Sequence, residues 1–377
     1  VLIYVLFGRG RHSFSDENKL MKQIIGDNVN TTPAFLVSRQ DETIAQLKNE
    51  SRPALRKLPE LLYQNSCACL TTHTDLEILQ NGHEKYPRLI EDIKMAQHSI
   101  HLEYFEWGAD AFTEALKKLL VDKAQAGVEV RVLFDPVGSF YALRKRYVRE
   151  MNVGGVKMLP FSPLYKLHTI GYRNHRKIAV IDGTVGYTGG MNMTEAYFKG
   201  PEGFTGWRDT HVRITGEAVR VLQATFLTSW YNGVGEALSR ELYLPPVEET
   251  HGYLPVQVVN SGPDSEWQAI RQLYFFLILA AERYVYIQSP FFILDESIAE
   301  ALKAAALSGV EVKVMLAPRG PEGRFSYRAG RTYAATLAKA GVQVYYYQGA
   351  YFHPKTIMVD SSVCSIGSAN SPIFYHE

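Results

Sequence analysis

Two short runs of this chain carry the same four residue types at the same spacing. The first is His175, Lys177 and Asp182 with Asn192 downstream, and the second is His353, Lys355 and Asp360 with Asn370 downstream. In both, the lysine, aspartate and asparagine follow the histidine by 2, 7 and 17 positions. One His-x-Lys says nothing, because buried histidines and surface lysines are common. Two copies matched at four positions are specific.

The chemistry follows from the residue types. Residues i and i+2 of a strand share a face, so His175 with Lys177, and His353 with Lys355, are each expected to address one ligand. A lysine ammonium offers a point charge and three donors to phosphate oxygens, and an asparagine amide adds neutral donors. Two imidazoles suit a double displacement in which one attacks phosphorus and the other protonates the leaving oxygen and later deprotonates the acceptor. Asp182 and Asp360 stand at an odd separation from their histidines, which puts them on the opposite face of a continuous strand. A structural role is expected for both, with Asp182-Gly183 forming a hairpin turn that returns the chain toward Asn192.

The elements around the two runs also repeat. Ser99-Ile100-His101-Leu102-Glu103-Tyr104-Phe105 leads into a helical stretch and then Gly127-Val128-Glu129-Val130-Arg131-Val132-Leu133. Tyr284-Val285-Tyr286-Ile287-Gln288-Ser289-Pro290 leads into another and then Gly309-Val310-Glu311-Val312-Lys313-Val314-Met315. A glycine closing a helix before an alternating apolar strand is a stop-and-start signal, and strands alternating with helices indicate an α/β layer architecture. Each half continues with a helix, a Gly-Val strand start (Gly155-Val156 and Gly341-Val342) and the His-x-Lys run. The reading is two homologous α/β domains, at residues 75–247 and 248–377, after an N-terminal segment at 1–74. The linker is Leu244-Pro245-Pro246-Val247-Glu248-Glu249-Thr250, where prolines and charges interrupt the periodicity.

Composition bounds the rest. At 46% hydrophobic and 21% charged residues, neither pervasive disorder nor a multi-span membrane protein fits. A net charge of +1 argues against a protein that coats nucleic acid by bulk electrostatics, so anion binding must be local. The three cysteines, Cys67, Cys69 and Cys364, form no disulfide framework. Cys67 and Cys69 read better as buried small hydrophobes than as metal ligands, since no second pair accompanies them. The apolar run Val1 to Phe7, followed by Gly8-Arg9-Gly10-Arg11-His12, reads as the end of a transmembrane helix leaving on the cytoplasmic side, with a buried strand as the alternative. The run from Leu273 to Ala280 is too short to span a bilayer and reads as a buried helix. Two basic-aromatic stretches, from Tyr141 to Arg149 and from Arg319 to Arg331, occupy matching places in the two halves. Each fits either an anionic lipid surface or a solvated helix face.

The duplicated run resembles the His-x-Lys-x4-Asp signature of the phospholipase D superfamily, over about residues 75–377. Within it, Ile100-His101-Leu102-Glu103-Tyr104-Phe105, Gly206-Trp207-Arg208-Asp209-Thr210-His211-Val212 and the apolar, Gly-Arg start resemble the bacterial cardiolipin synthase family. The resemblance implies two phospholipase D-like α/β sandwich domains packed around one shared active site. It also implies a histidine nucleophile, a histidine acid/base, lysines and asparagines on the phosphate, and no metal or organic cofactor. In the family a carboxylate downstream of each motif bonds a catalytic histidine, which nominates Asp209 for one. The segment after Asn370, ending at Glu377, is shorter than the family's stretch and leaves the second unassigned. The implied activity is phosphatidyl transfer between two phosphatidylglycerol molecules, with release of glycerol. It would take place on an anionic bacterial cell membrane with the catalytic domains on the cytoplasmic side and no nucleic-acid partner; oligomeric state is not legible. A hydrolytic phospholipase D is the nearest rival, a superfamily nuclease a more distant one, and a non-catalytic lipid-binding scaffold the one from outside enzymology.

Overall fold

The computed structural model describes residues 38–50, 52–161, 174–238, 241–247, 252–261, 267–319 and 324–368. Asn370, Glu377, the apolar run at 1–7 and its basic flank, residues 320–323 of the second basic stretch and residues 248–250 of the linker lie outside them.

The described residues begin with helices α1 (Gln40–Glu50) and α2 (Leu58–Ser66) and a short strand β1 (Leu70–Thr71). The first half follows as β2 (Thr74–Gln80), α3 (Asn81–Met95), β3 (Ser99–Tyr104), α4 (Ala111–Gln125), β4 (Glu129–Phe134), α5 (Lys145–Val153), β5 (Lys157–Pro160), β6 (Lys177–Ile181) and β7 (Val185–Gly189). It closes with α6 (Ala196–Lys199), β8 (Trp207–Arg208), β9 (Thr210–Gly216) and α7 (Glu217–Val234). The second half comprises β10 (Val256–Gln257), α8 (Ala269–Leu279), β11 (Tyr284–Ser289), α9 (Glu296–Leu307), β12 (Glu311–Leu316), α10 (Arg324–Ala338), β13 (Gln343–Tyr346), β14 (Tyr351–Phe352), β15 (Thr356–Val359) and β16 (Val363–Ile366).

The repeat read from sequence is a repeat of topology. One sheet runs β2-β9-β7-β6-β3-β4-β5 and the other β13-β12-β11-β15-β16. In each, three parallel strands (β3, β4, β5; β11, β12, β13) are joined on the other side of the first strand to an antiparallel hairpin (β6, β7; β15, β16). Matching residues make matching ends. Asp110 caps α4 by accepting from Thr113 N, and Asp295 caps α9 by accepting from Ile298 N. Gly127 (φ +95°) and Gly309 (φ +95°) turn the chain after these helices through the left-handed region that favours glycine.

The signature aspartates repeat too. The Asp182 carboxylate accepts from the backbone N–H groups of Gln97, His98 and Ser99 at 2.7–2.8 Å. Asp360 accepts from those of Glu282, Arg283 and Tyr284 at 2.7–2.8 Å. Each clasps the amides at the start of its central parallel strand. Each also opens a two-residue turn: Asp182 and Gly183 both have positive φ, as do Asp360 and Ser361, with Thr184 N donating to Ile181 O and Ser362 N to Val359 O.

Two particulars differ from the sequence reading. His175 and His353 do not lie on strands: His175 stands in the extended approach to β6, which begins at Lys177, and His353 lies between β14 and β15. Both sit just before a strand of the hairpin, outside its ladder. Of the two nearby cysteines only Cys69 is buried, while Cys67 is exposed and ends α2 in the left-handed conformation (φ 52°).

The N-terminal segment also has a definite partner. Leu55, Leu58, Leu62 and Ala68 join the core of the second half, beside Leu273 and Leu277 of α8, and β1 pairs with β10. The Leu273–Ala280 run therefore serves as a core helix, and no helix among the described residues is long and apolar enough to cross a membrane.

Candidate active site

The two halves meet in a strand pair of two residues each. β8 of the first half pairs in parallel with β14 of the second, Tyr351 N donates to Gly206 O, and His353 N donates to Arg208 O at 2.8 Å. This ladder places His353 beside Asp209. Its Nδ1 lies 2.8 Å from Asp209 Oδ2, and the ring is walled by Trp207 and Tyr351 at centroid distances of 5.5 and 5.8 Å. Asp209 is fully buried and its other oxygen accepts from Thr210 N at 2.8 Å. A carboxylate on Nδ1 favours the tautomer with Nδ1–H and stabilises the imidazolium.

His175 has a different setting. Its partly buried ring packs 4.8 Å from the Phe105 ring. Burial, then the positive charges of Lys177 and Lys355 and the facing His353, hold its imidazole well below the ordinary range, against a hydrogen bond to the Ser368 backbone. The ring is therefore neutral at physiological pH. Both halves build the junction: the first holds the second half's histidine through Asp209, and the second brings Lys355 and His353 up to the first half's histidine.

Both motif lysines are buried at this junction and behave alike. Lys177 Nζ donates to the carbonyl of His175 at 2.8 Å, and Lys355 Nζ to that of His353 at 2.6 Å. Lys355 Nζ also lies 2.9 and 3.0 Å from the two ring nitrogens of His353. Two buried ammonium groups flanking two imidazoles form a setting for an anionic phosphoryl group.

Asn192 is anchored from several sides. Its carbonyl accepts from Tyr86 Oη (2.7 Å) and Lys85 Nζ (3.4 Å), its Oδ1 from Glu106 N (3.2 Å), and its Nδ2 donates to Tyr197 Oη (3.3 Å). An amide nitrogen carries two hydrogens, so this one can still address a ligand. Lys85 was not legible in sequence. It is fully buried between the rings of Tyr86 and Tyr104, each 4.7 Å away, and burial drives its pKa well down. It sits on a helix whose neighbours are polar, so no pattern marks it. Asp135 was missed too: it accepts from Asn174 N at 3.0 Å, and so helps to fix the backbone before His175. Among the described residues, no group of three or more His, Cys, Asp or Glu is arranged to hold a metal.

Comparison with known proteins decides the family. A family described as "Cardiolipin synthase, PLD-like domain" matches residues 89–230 and 275–372. The cardiolipin synthase of Geobacillus thermodenitrificans is 40% identical over 373 residues, spanning 98% of this chain and 72% of that one. The chain belongs to the cardiolipin synthase family. A cardiolipin synthase of Listeria monocytogenes is 38% identical over 377 residues, covering 98% of this chain and 77% of its own. Among solved structures, the phosphatidylserine synthase of Haemophilus influenzae superposes with a TM-score of 0.57 at 15% identity, over 82% of this chain and 81% of that one. That likeness supports the fold. Family membership bears out the resemblance drawn from the motifs, and the duplicated topology is that of the family's phospholipase D-like domains.

Proposed function

We propose that this protein is a cardiolipin synthase that transfers a phosphatidyl group from one phosphatidylglycerol to the glycerol hydroxyl of another. The observation that carries the reading is the meeting of His175 with a carboxylate-held imidazole at His353, across the junction where Lys177 and Lys355 are buried and where their charges press the His175 imidazole below its ordinary range. The unprotonated nitrogen of His175 attacks phosphorus, and the bond to the departing glycerol oxygen breaks as His353 gives that oxygen its proton. The phosphatidyl group is then on His175. The hydroxyl of a second phosphatidylglycerol passes its proton to His353 and attacks phosphorus, the phosphorus–nitrogen bond breaks, and cardiolipin leaves with both histidines restored. Lys177, Lys355 and the amides of Asn192 and Asn370 hold the non-bridging oxygens throughout. Asp209 keeps Nε2 of His353 facing the moving proton. The site lies on the cytoplasmic face of a bacterial cell membrane.

Incubating the membrane-reconstituted protein with phosphatidylglycerol alone and analysing lipids by mass spectrometry tests the reaction. Cardiolipin and free glycerol are expected, whereas phosphatidic acid without cardiolipin would make the protein a hydrolase. A phosphatidyl p-nitrophenyl ester separates the histidines, because its leaving group needs little proton donation. His353→Ala should accumulate a phosphoryl adduct that alkaline peptide mapping places on His175. An adduct on His353 in the His175→Ala protein would reverse the roles.

A further inference from the structure

The turn between β4 and α5 holds apolar side chains out in water. Val137 is 44%, Phe140 60% and Tyr141 97% exposed, and together they make a patch of the kind that marks an interaction surface. The turn beneath them is tightly built. One oxygen of Asp135 accepts from Val137 N (2.8 Å) and Gly138 N (3.0 Å), and the other accepts from Asn174 N. Ser139 Oγ donates to Phe105 O (3.2 Å) and accepts from Trp107 N (3.0 Å), while Phe140 N and Leu143 N close on Val137 O and Ser139 O. A Cβ on Gly138 would come within 2.4 Å of Phe105 O. Through Asn174 and Phe105, the base of the turn is fixed to the rim of the site at His175.

Directly behind the apolar tip, Arg144, Lys145, Arg146 and Arg149 are all exposed. Arg146 pairs with Glu150 at 2.6 Å, and the other three have no carboxylate partner among the described residues. Rings at a tip with cations one turn behind match the layers of a bilayer surface, where aromatics lie at the headgroup level and basic side chains meet anionic phosphates. We infer that residues 137–149 dock this protein on an anionic bilayer, with Phe140 and Tyr141 entering the interface and Arg144, Lys145 and Arg149 on the headgroups. His175 is thereby held at the plane where a lipid phosphodiester lies. The inference rests on the reading of the protein as a lipid enzyme and adds the surface by which it reaches its substrate.

Tyr141→Trp in the full chain tests it, with vesicles of equal phosphatidylglycerol and phosphatidylcholine carrying brominated acyl chains. Its emission should shift to the blue and be quenched beyond that of the wild-type protein, while Tyr345→Trp on β13 shows no such excess. Vesicle-bound protein without excess quenching at position 141 overturns the proposal. Phe140→Ser/Tyr141→Ser should lower turnover of vesicle phosphatidylglycerol about tenfold more than turnover of short-chain monomers, the loss expected if about 1.4 kcal/mol of apolar insertion is removed. Equal losses on both would overturn it. Arg144→Ser/Lys145→Ser/Arg149→Ser should weaken binding to the anionic vesicles roughly fivefold per cation and leave binding to pure phosphatidylcholine as it was; equal weakening on both surfaces counts against the proposal. Quenching at position 141 in a protein that makes no cardiolipin would leave the docking surface standing and overturn the function, and cardiolipin made without that quenching would do the reverse.

Discussion

Gly190 shows how little room the site leaves around Asp209, the carboxylate that reaches across the halves to His353. A Cβ at this position would stand 2.0 Å from Asp209 Oδ1, so any side chain here must move the group that holds His353. Gly190→Ala is expected to lower kcat about a hundredfold, the cost of misplacing a catalytic group by roughly 1 Å. The thermal midpoint should move little, because the lost contact serves one imidazole. Parallel activity and melting measurements check this, and an unchanged kcat would mean that Asp209 does not position His353. The same scale explains the division of labour between the histidines. Among the described residues His353 is held by a carboxylate, while His175 packs on Phe105 and meets the positive charges of Lys177 and Lys355, and the proposed roles of base and proton carrier rest on that difference.

At the scale of elements, the aspartate clasp holds each central strand to its hairpin. Burial disfavours the ionised Asp360, but its three backbone N–H donors and Arg52 at 2.7 Å outweigh that and hold the carboxyl at about 2. A group depressed in the folded state stabilises above its unfolded pKa and loses that contribution as pH falls through the folded one. Asp360→Asn should therefore cost roughly 2–3 kcal/mol at neutral pH, from a little under two pKa units at about 1.36 kcal/mol each. The gap between variant and wild type should close between about pH 4 and pH 2, as denaturant melts across that range would show. The sequence made the repeat and the glycine stops of its helices legible because those signals are local: Gly127 and Gly309 act within a few residues of themselves. Parity along the strand gave Asp182 and Asp360 a face away from the ligand, but not the amides they bind. Which histidine Asp209 serves could not be read, because the partner lies 144 residues away and is brought near by a two-residue ladder. The placement of His175 before β6 was hidden as well, since its strand-like neighbours continue the alternation.

The whole molecule is less simply halved than its repeat. Leu58 and Leu62 of α2 lie in the second core, and Arg52 reaches Asp360 and Glu282, so a segment that precedes the first half completes the second. Leu62→Ala should destabilise the protein by about 2–5 kcal/mol, as for other buried leucines. Mixing residues 1–247 with 248–377 should restore turnover that neither piece has alone, whereas 75–247 with 248–377 should not. Equal recovery from both mixtures would show that α2 is dispensable to the second core. The seat of α2 also sets a clock on the ribosome. Its leucines emerge some 200 residues before α8 exists to cover them, and at about 5–20 residues per second that is roughly 10–40 s. For that interval the nascent chain carries an uncovered helix, and His175, made part-way through it, waits longer still for the His353 that faces it.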